Sequence, residues 1–257
     1  MKNKPPLLQT ASLSKFFGGL AAVNELDLTI SEGEIFGLIG PNGAGKTTVF
    51  NLISGVLKPT DGRILFKEED ITDFNPDKVA GKGLVRTFQA NVLFREFSVM
   101  DNILLGCQLQ VKTGMFMDLL NIRSVQNRRK KLAEAAEEVV EFVGLQGLRE
   151  ELAKNLAHGY QRILGIGIAL AAHPKMILLD EPVCGMNNEE KTEMMALIQK
   201  IRASGITVLL VEHDMRVVMG ICDRIAVINF GTKIAEGPPS VIQEDEQVIE
   251  AYLGAEE

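Results

Sequence analysis

The stretch Gly40-Pro-Asn-Gly-Ala-Gly-Lys46-Thr47 lies between an apolar run, Glu34 to Ile39, and a helical pattern, Lys46 to Ser54. It has the form G-x-x-x-x-G-K-[S/T], a glycine-rich loop between a strand and a helix. The glycines let successive backbone N–H groups converge on phosphate oxygens, and the helix N-terminus adds the positive end of its dipole. We therefore predict an α/β core with a loop that binds the phosphates of a nucleotide.

Residues of this phosphate loop, Gly40 to Thr47, have distinct expected parts in binding. Lys46 supplies a point charge for the β- and γ-phosphates, and Thr47 supplies a hydroxyl ligand for Mg²⁺. The alternative is a glycine-rich turn with an exposed lysine. The predicted nucleotide-binding residues of this region are Gly40, Pro41, Asn42, Gly43, Ala44, Gly45, Lys46, Thr47 and Thr48.

Two carboxylates, Asp180 and Glu181, follow a second apolar run, Met176 to Leu179. Asp180 is placed to hold Mg²⁺ through water, and Glu181 to orient and deprotonate an attacking water. The alternative is an aspartate that caps a turn. Together with the phosphate loop, this carboxylate pair predicts nucleotide hydrolysis.

The remaining pattern favours a parallel sheet with a helical region between its strands. Thr207 to Val211 and Arg224 to Ile228 are short, nearly continuous apolar runs, as expected for strands covered on both faces. Leu26 to Ile30 and Arg63 to Phe66 alternate more, which indicates an antiparallel sheet. The stretch from about 99 to 168 is mostly helical in pattern, which indicates a helical subdomain inserted into the α/β core.

Composition excludes several classes of protein. The chain has 257 residues, 46% hydrophobic and 24% charged, with a net charge of −7. These values are typical of a globular protein, and the acidic balance argues against a general nucleic-acid binder. The three cysteines have no metal or disulfide spacing, which predicts reduced thiols. No signal peptide is visible, and the longest apolar stretch, Ile163 to Ala172, is far shorter than the about 20 residues that span a bilayer.

In the order of its motifs, the chain resembles the ATP-binding subunits of ABC transporters over nearly its whole length. The resemblance implies a P-loop NTPase (RecA-like) α/β core with an antiparallel β subdomain and an inserted α-helical subdomain. It also implies one ATPase domain over residues 1–257, with the helical subdomain at about 99–168, and ATP and Mg²⁺ as cofactors.

The same resemblance assigns further residues to the nucleotide site. Arg86-Thr-Phe-Gln89 looks like the stretch that ends in the glutamine loop, so Gln89 would touch Mg²⁺ or the attacking water. Glu212-His213-Asp214 looks like the switch region, with His213 reaching the γ-phosphate. Ser14 to Gly19 resembles the loop whose aromatic residue stacks on adenine, with Phe17 in that role and Val23 packing on the same base. The alternatives are a structural histidine and an ordinary core aromatic.

The segment Leu156 to Gln161 stands in the place of the family's signature, which caps the ATP of the opposite subunit in a dimer. The match is partial, because the usual serine is replaced by an alanine and two further positions differ. The cross-dimer residues implied are Ala157, His158, Gly159, Tyr160 and Gln161. These departures put the strength of the cross-dimer contact in doubt. The loop Val183 to Asn187 resembles the D-loop.

Three stretches look like the branched-chain amino acid importers, and most like the first of their two ATPase subunits. These are Val85 to Ile103, the insertion from about Gln108 to Lys131, and the end from Glu212 to Gly254. The insertion predicts either a helical hairpin folded on its own subdomain or a surface near a permease or lipid headgroups. The implied partners are a second ATP-binding subunit, transmembrane permeases and, indirectly, a periplasmic or extracellular solute-binding protein. The implied location is peripheral, at the cytoplasmic face of the inner membrane.

Other functions remain open on these residues. A P-loop phosphotransferase would need an acceptor site and lid arginines, and it would not explain Gln89, Asp180, Glu181 and His213 in this order. A soluble ABC protein of translation or DNA repair usually carries two ATPase units or a long coiled coil. The altered signature allows a nucleotide-binding partner with weakened turnover, and the transported solute could differ.

Overall fold

The computed structural model describes residues 6–87, 93–108 and 122–253, and for 108 and 122–129 only the backbone. Gln89 and residues 109–121 of the insertion lie outside the described residues. The strands are β1 Pro6–Phe17, β2 Leu20–Ser31, β3 Ile35–Ile39, β4 Asp61–Phe66, β5 Glu69–Asp70, β6 Leu84–Arg86, β7 Met176–Asp180, β8 Thr207–Val211, β9 Arg224–Asn229 and β10 Thr232–Gly237. The helices are α1 Lys46–Ile53, α2 Pro76–Gly81, α3 Val99–Gln108, α4 Ile122–Phe142, α5 His158–Leu170, α6 Asn188–Ala203, α7 Met215–Ile221, α8 Pro239–Ile242 and α9 Glu246–Leu253. Short 3₁₀ turns occupy Gln146–Leu148 and Ala153–Asn155.

A six-stranded sheet of order β10-β9-β3-β8-β7-β6 forms the centre of the α/β core. All of its neighbouring strands pair in parallel, except β10, which pairs antiparallel with β9. Every residue of β3 and of β8 is buried, as expected from their continuous apolar sequences. The carboxyl ends of β3, β7 and β8 therefore lie at one edge of the sheet, where α/β proteins bind ligands.

A second, antiparallel sheet has the order β2-β1-β4-β5. Its first strand, β1, was not predicted, because its apolar positions do not alternate regularly. The pairing of β1 with β2 contains four register shifts, and Ser12 within β1 has a φ of 47°. Such bulges shift the side-chain period of a strand and hide it from a simple alternation test.

The chain divides into two compact units. The core unit comprises Met1–Arg86, Lys175–Cys184 and Lys191–Glu257, and it contains both sheets. The helical unit comprises Thr87–Pro174 and Gly185–Glu190, and it contains α3, α4 and α5. The predicted α/β core, antiparallel sheet and helical region are thus all present.

Two glycines let α3 and α5 approach closely within the helical unit. A Cβ built on Gly106 would lie 2.7 Å from the carbonyl oxygen of Ile168, and one on Gly167 would lie 3.3 Å from Ile103. Gly167 weakens the helix by about 1 kcal/mol relative to alanine, and this close packing is the structural reason for it. Across the described helices, none is both long enough and apolar enough to cross a membrane.

Candidate functional site

The phosphate loop connects β3 to α1 and is held by backbone contacts that only glycine permits. Gly40 has a φ of 155°, and a Cβ there would lie 2.0 Å from the carbonyl oxygen of Ile228. Gly45, the residue before α1, has a φ of 105°, and a Cβ there would lie 2.4 Å from the carbonyl oxygen of Ala22. The amide of Gly231 donates to the Ala44 carbonyl at 2.9 Å. The loop is therefore fixed by β9, by the turn that follows it and by β2.

Lys46 is buried at the start of α1 and already engaged within the loop. Its Nζ donates to the carbonyl oxygens of Gly40 and Pro41, at 2.7 and 2.9 Å. Burial lowers the pKa of the Lys46 ammonium from its usual value, while the nearby Glu181 and Asp180 carboxylates act in the opposite direction. The structure therefore brings Lys46 and the carboxylate pair into one electrostatic neighbourhood, as their positions after parallel strands predict.

Asp180, the last residue of β7, makes an ion pair that the sequence did not reveal. Arg86 Nη2 lies 2.8 Å from Asp180 Oδ2, and both side chains are largely buried. Arg86 Nη1 donates to Asn51 Oδ1 at 2.6 Å, and the guanidinium lies over the Phe50 ring at 5.6 Å. Arg86 therefore links the end of β7 to α1 and balances the charge of Asp180.

Glu181 is held in an unusual backbone conformation directly after β7. Its φ is 46°, which costs a non-glycine residue roughly 1–2 kcal/mol. Its amide donates to the carbonyl of Val211, at the end of β8, at 2.9 Å. Strain of this kind persists only where the surroundings enforce it, and it is common at active sites.

The His213 side chain lies next to the Glu181 side chain, as expected if both act on one bound molecule. Its Nδ1 is 3.7 Å from Glu181 Oε1, and the two side chains are 59% and 38% exposed. Both can therefore reach a molecule bound at this edge of the sheet. Asp214 accepts hydrogen bonds from the amides of Arg216 and Val217, caps α7 and pairs with Lys191 at 2.6 Å. The cap fixes the direction in which the chain leaves the site.

The two predicted adenine contacts differ sharply in exposure. Phe17, at the end of β1, is 47% exposed, with Lys15 Nζ 5.4 Å from its ring centroid. Val23, on β2, is fully buried in the hydrophobic core. Val23 therefore offers no surface to a base, and its prediction is corrected to a core residue. Phe17 keeps the surface that stacking requires.

The signature segment, Leu156 to Gln161, belongs to the helical unit and begins α5. Ala157 is the residue before the helix and makes no side-chain cap. His158 and Tyr160 are exposed, whereas Gly159 is buried. Gln161 Nε2 donates to the Leu156 carbonyl at 2.9 Å and closes the segment on itself. A Cβ on Gly159 would lie 3.2 Å from Glu190 Oε1, so the glycine keeps space that a side chain would fill.

The D-loop asparagine has a structural role within the helical unit. Asn187 Oδ1 accepts from the amides of Glu189 and Glu190, and Glu190 Oε2 accepts from the Asn187 amide at 2.9 Å. This reciprocal arrangement is a capping box at the start of α6.

The residues at the phosphate loop fit a divalent cation bound together with a nucleotide. Thr47 is exposed at the start of α1, and the Asp180 carboxylate lies near Lys46 at the same edge. Hydroxyl and carboxylate oxygens suit Mg²⁺, which usually keeps waters and binds phosphates as well. Within the described residues, no three His, Cys, Asp or Glu side chains form a metal-holding group. These residues therefore fit a divalent cation that binds together with the phosphates of a nucleotide.

Two residues of the site were missed by sequence reasoning. Arg86 was noted only as part of the stretch before Gln89, and Glu212 only as the residue before His213. An arginine just before a predicted glutamine loop, and an acidic residue at the end of an apolar strand, were the available signals.

Two protein families and several known proteins match the sequence of this chain. A family described as ABC transporter matches residues 23–184, and one described as branched-chain amino acid ATP-binding cassette transporter matches residues 232–257. The chain is 44% identical over 250 residues to the high-affinity branched-chain amino acid transport ATP-binding protein LivG of Escherichia coli K12, covering 97% of this chain and 98% of LivG. It is 40% identical to BraF of Pseudomonas aeruginosa, with the same coverage.

A solved structure shares the whole fold. The ADP conformation of MJ1267, an ATP-binding cassette of an ABC transporter, superposes with a TM-score of 0.86 at 31% identity. The match covers 98% of this chain and 100% of that one.

Proposed function

The chain belongs to the ABC transporter family of ATP-binding proteins, and on this premise we propose that its hydrolysis of MgATP powers the import of branched-chain amino acids. It is an ATP-binding ABC-type ATPase, as predicted from its motifs. The proposed solute follows from LivG and BraF, whose names describe branched-chain amino acid transport. The match of residues 232–257 to the branched-chain amino acid cassette family supports the same choice.

One observation carries the hydrolytic part of the proposal. Lys46, Asp180 and Glu181 share an electrostatic neighbourhood, and His213 lies 3.7 Å from Glu181. A phosphate-binding lysine, a carboxylate that serves as base and an orienting histidine are the parts that nucleotide hydrolysis needs. A phosphotransferase would need an acceptor site and lid arginines, and it would not explain why a base and a histidine follow the phosphate-binding lysine in this order.

Each residue has a defined task in the proposed reaction. Lys46 exchanges its bonds to the Gly40 and Pro41 carbonyls for the β- and γ-phosphate oxygens. Glu181 accepts the proton of the attacking water at its carboxylate. His213 holds the γ-phosphate, and its Nδ1 steadies the Glu181 carboxylate. Phe17 offers its exposed ring to the adenine, and Gln89 touches the attacking water.

Thr47 and Asp180 would hold Mg²⁺, with Asp180 acting through water, and Gln89 is the further proposed ligand. When bound, the ion neutralises charge on the β- and γ-phosphates. Arg86 shares Asp180 Oδ2 at 2.8 Å, so it tunes how strongly this carboxylate attracts the ion.

We place the chain in a larger assembly. ABC ATPases work as dimers with transmembrane permeases, and the proposed partners here are a second ATP-binding subunit, identical or different, and transmembrane permease subunits. A periplasmic or extracellular solute-binding protein takes part indirectly. Residues 1–257 act as one ATPase domain, with a helical subdomain at about 99–168, at the cytoplasmic face of the membrane. The residues Ala157, His158, Gly159, Tyr160 and Gln161 face the ATP of the second subunit.

A second candidate function is a nucleotide-binding partner with weakened turnover. The specific observation is the start of α5, where Ala157 provides neither a side-chain cap nor a hydroxyl. A site on the partner's phosphate loop would then receive fewer hydrogen bonds from this chain. Hydrolysis at the phosphate loop of this chain would be unaffected.

The test measures ATP hydrolysis by the purified Lys46→Ala chain, and the uptake of leucine, isoleucine and valine by cells that carry this variant as their sole copy of the chain. Loss of the phosphate-binding charge should lower ATP affinity and hydrolysis by roughly 100-fold or more and stop uptake. Lys58→Ala is the matched control, because Lys58 Nζ also donates to a backbone carbonyl, that of Phe74, but away from the site.

The outcomes separate the parts of the proposal. Normal ATP hydrolysis in Lys46→Ala would refute the site. Lost hydrolysis with normal uptake of all three amino acids would refute the proposed solute and leave the ATPase intact.

A further inference from the structure

Glu212 is a charged side chain with no exposed surface, directly after β8 and before His213. A carboxylate loses several kcal/mol when it leaves water without compensation. Within the described residues its hydrogen bonds come from backbone amides, and the His213 Nδ1 lies 4.0 Å from Oε2. Burial raises the pKa of the Glu212 carboxyl above its ordinary value, and the amides of Val183, Asp214 and His213 oppose that rise.

The two oxygens of Glu212 serve two different loops of the core unit. Oε1 accepts from the amide of Val183, two residues after Glu181, at 2.9 Å. Oε2 accepts from the amide of His213 at 3.1 Å, with the Asp214 amide at 3.5 Å. The turn that carries Glu181 and the loop that carries His213 are thus tied to one buried carboxylate.

A carboxylate is required at this position for a geometric reason. Both oxygens face N–H donors, and an ionised carboxylate accepts at both. A glutamine of the same shape would place an NH₂ donor against at least one amide, which would leave buried donors without acceptors. The isosteric amide should therefore release one of the two loops rather than merely weaken a contact.

We infer that Glu212 is a positioning residue, which sets the distance between the Glu181 carboxylate and the His213 imidazole by holding both of their loops. This inference rests on the proposed function. Glu212 lies behind the site and is fully covered, so it acts through Glu181 and His213 and not on ATP. Nδ1 of His213 lies 3.7 Å from Glu181 Oε1 and 4.0 Å from Glu212 Oε2. A release of either loop changes the first of these distances.

The experiment compares Glu212→Gln with the matched control Glu34→Gln. Glu34 is also a buried carboxyl that accepts from a backbone amide, that of Ser31, but its other partner is Arg224, away from the catalytic pair. In Glu212→Gln we expect kcat to fall roughly 10- to 100-fold, as for a small misplacement of reacting groups. ATP affinity should stay within about threefold, because Lys46 and the phosphate loop are untouched. Glu34→Gln should leave kcat within about twofold.

A double-mutant cycle with His213→Ala tests whether Glu212 acts through His213. If it does, adding Glu212→Gln to His213→Ala should lower kcat by much less than it does alone. Independent, multiplying losses in kcat would overturn the inference, and so would equal kcat losses in Glu212→Gln and Glu34→Gln.

Amide hydrogen exchange gives a readout that needs no turnover. Protection of the Val183 and His213 amides in the unaltered chain supports the link, and their exchange at the rates of free amides overturns it. This readout decides the matter if Glu212→Gln does not fold. Hydrogen exchange also separates this inference from the proposed function. An unaltered chain without ATPase activity would refute the proposed function, while protection of the two amides would still support the link through Glu212.

Discussion

The phosphate loop and the signature segment both begin helices, but the two helix starts are built very differently. The phosphate loop is held by Gly40 and Gly45 in conformations that approach the carbonyls of Ile228 and Ala22. The signature segment begins α5 at Ala157 without a side-chain cap, and within it the Gln161 side chain donates to the Leu156 carbonyl. Neighbouring strands therefore fix the backbone of the phosphate loop, whereas the start of α5 lacks a side-chain cap.

This difference predicts which positions tolerate substitution and which do not. A residue whose backbone approaches other carbonyls within a few ångström has no tolerated substitute, whereas an uncapped helix start can be improved. We therefore expect changes at the phosphate loop and the carboxylate pair to cause large losses. Changes at the signature segment should cause small effects, some of them gains.

The largest expected effect follows Glu181→Gln. A neutral amide cannot take the proton of the attacking water, so kcat for ATP should fall roughly 100- to 10,000-fold. ATP should still bind, because Lys46 and the loop amides remain. Glu189→Gln, an exposed acid near the start of α6, is the control for a general effect of charge. Near-normal hydrolysis in Glu181→Gln would move the base to another residue, with His213 the next candidate.

A pair of glycine substitutions sharpens the account of the loop itself. Gly40→Ala should lower the free energy of unfolding by about 3 kcal/mol, because its Cβ would lie 2.0 Å from the Ile228 carbonyl oxygen. Gly43→Ala meets no atom within 4 Å and should cost only about 1 kcal/mol for its φ of 78°. Gly43 belongs to the predicted phosphate loop, so Gly43→Ala should instead weaken nucleotide binding. Denaturant unfolding and ATP titration measure the two effects, and equal unfolding losses would contradict the account.

The smallest effect is expected at the signature segment. Ala157→Ser supplies a side-chain cap to α5 and should raise the free energy of unfolding by about 1 kcal/mol. Ala203→Ser, at the exposed end of α6, changes the same atoms where no cap is available and should give no gain. A thermal melt distinguishes them. A stabilisation of equal size in both variants would show that the missing cap at α5 has no consequence.

Much of the fold was predictable because its strongest signals are local. Continuous apolar runs gave β3, β7, β8 and β9, while β1 was missed because bulges break its alternation. Helix α4, Ile122–Phe142, lies within the stretch of about 99 to 168 that the sequence predicts to be mostly helical.

Part of the site was also predictable from local sequence signals. Lys46, Asp180 and Glu181 follow buried strands, so their meeting could be foreseen from a parallel sheet. The roles of Arg86 and Glu212 could not, because their partners Asp180 and Val183 lie 94 and 29 residues away. Val23 was misplaced because sequence position near an aromatic loop does not reveal whether a side chain faces out or in.

We expect the contacts of the phosphate loop to be sufficient for ATP binding, and the signature segment to limit the rate of hydrolysis. The direct measurement is steady-state ATP hydrolysis by the purified chain carrying Ala157→Ser and His158→Gly together. In a dimer of this chain both sites use this segment, and a restored hydroxyl bond to phosphate is worth about 1.5–3 kcal/mol. We predict a rise in kcat of roughly tenfold, abolished when Lys46→Ala is added. A rate unchanged or lowered by the repaired segment, in a chain that still binds ATP, would contradict the claim.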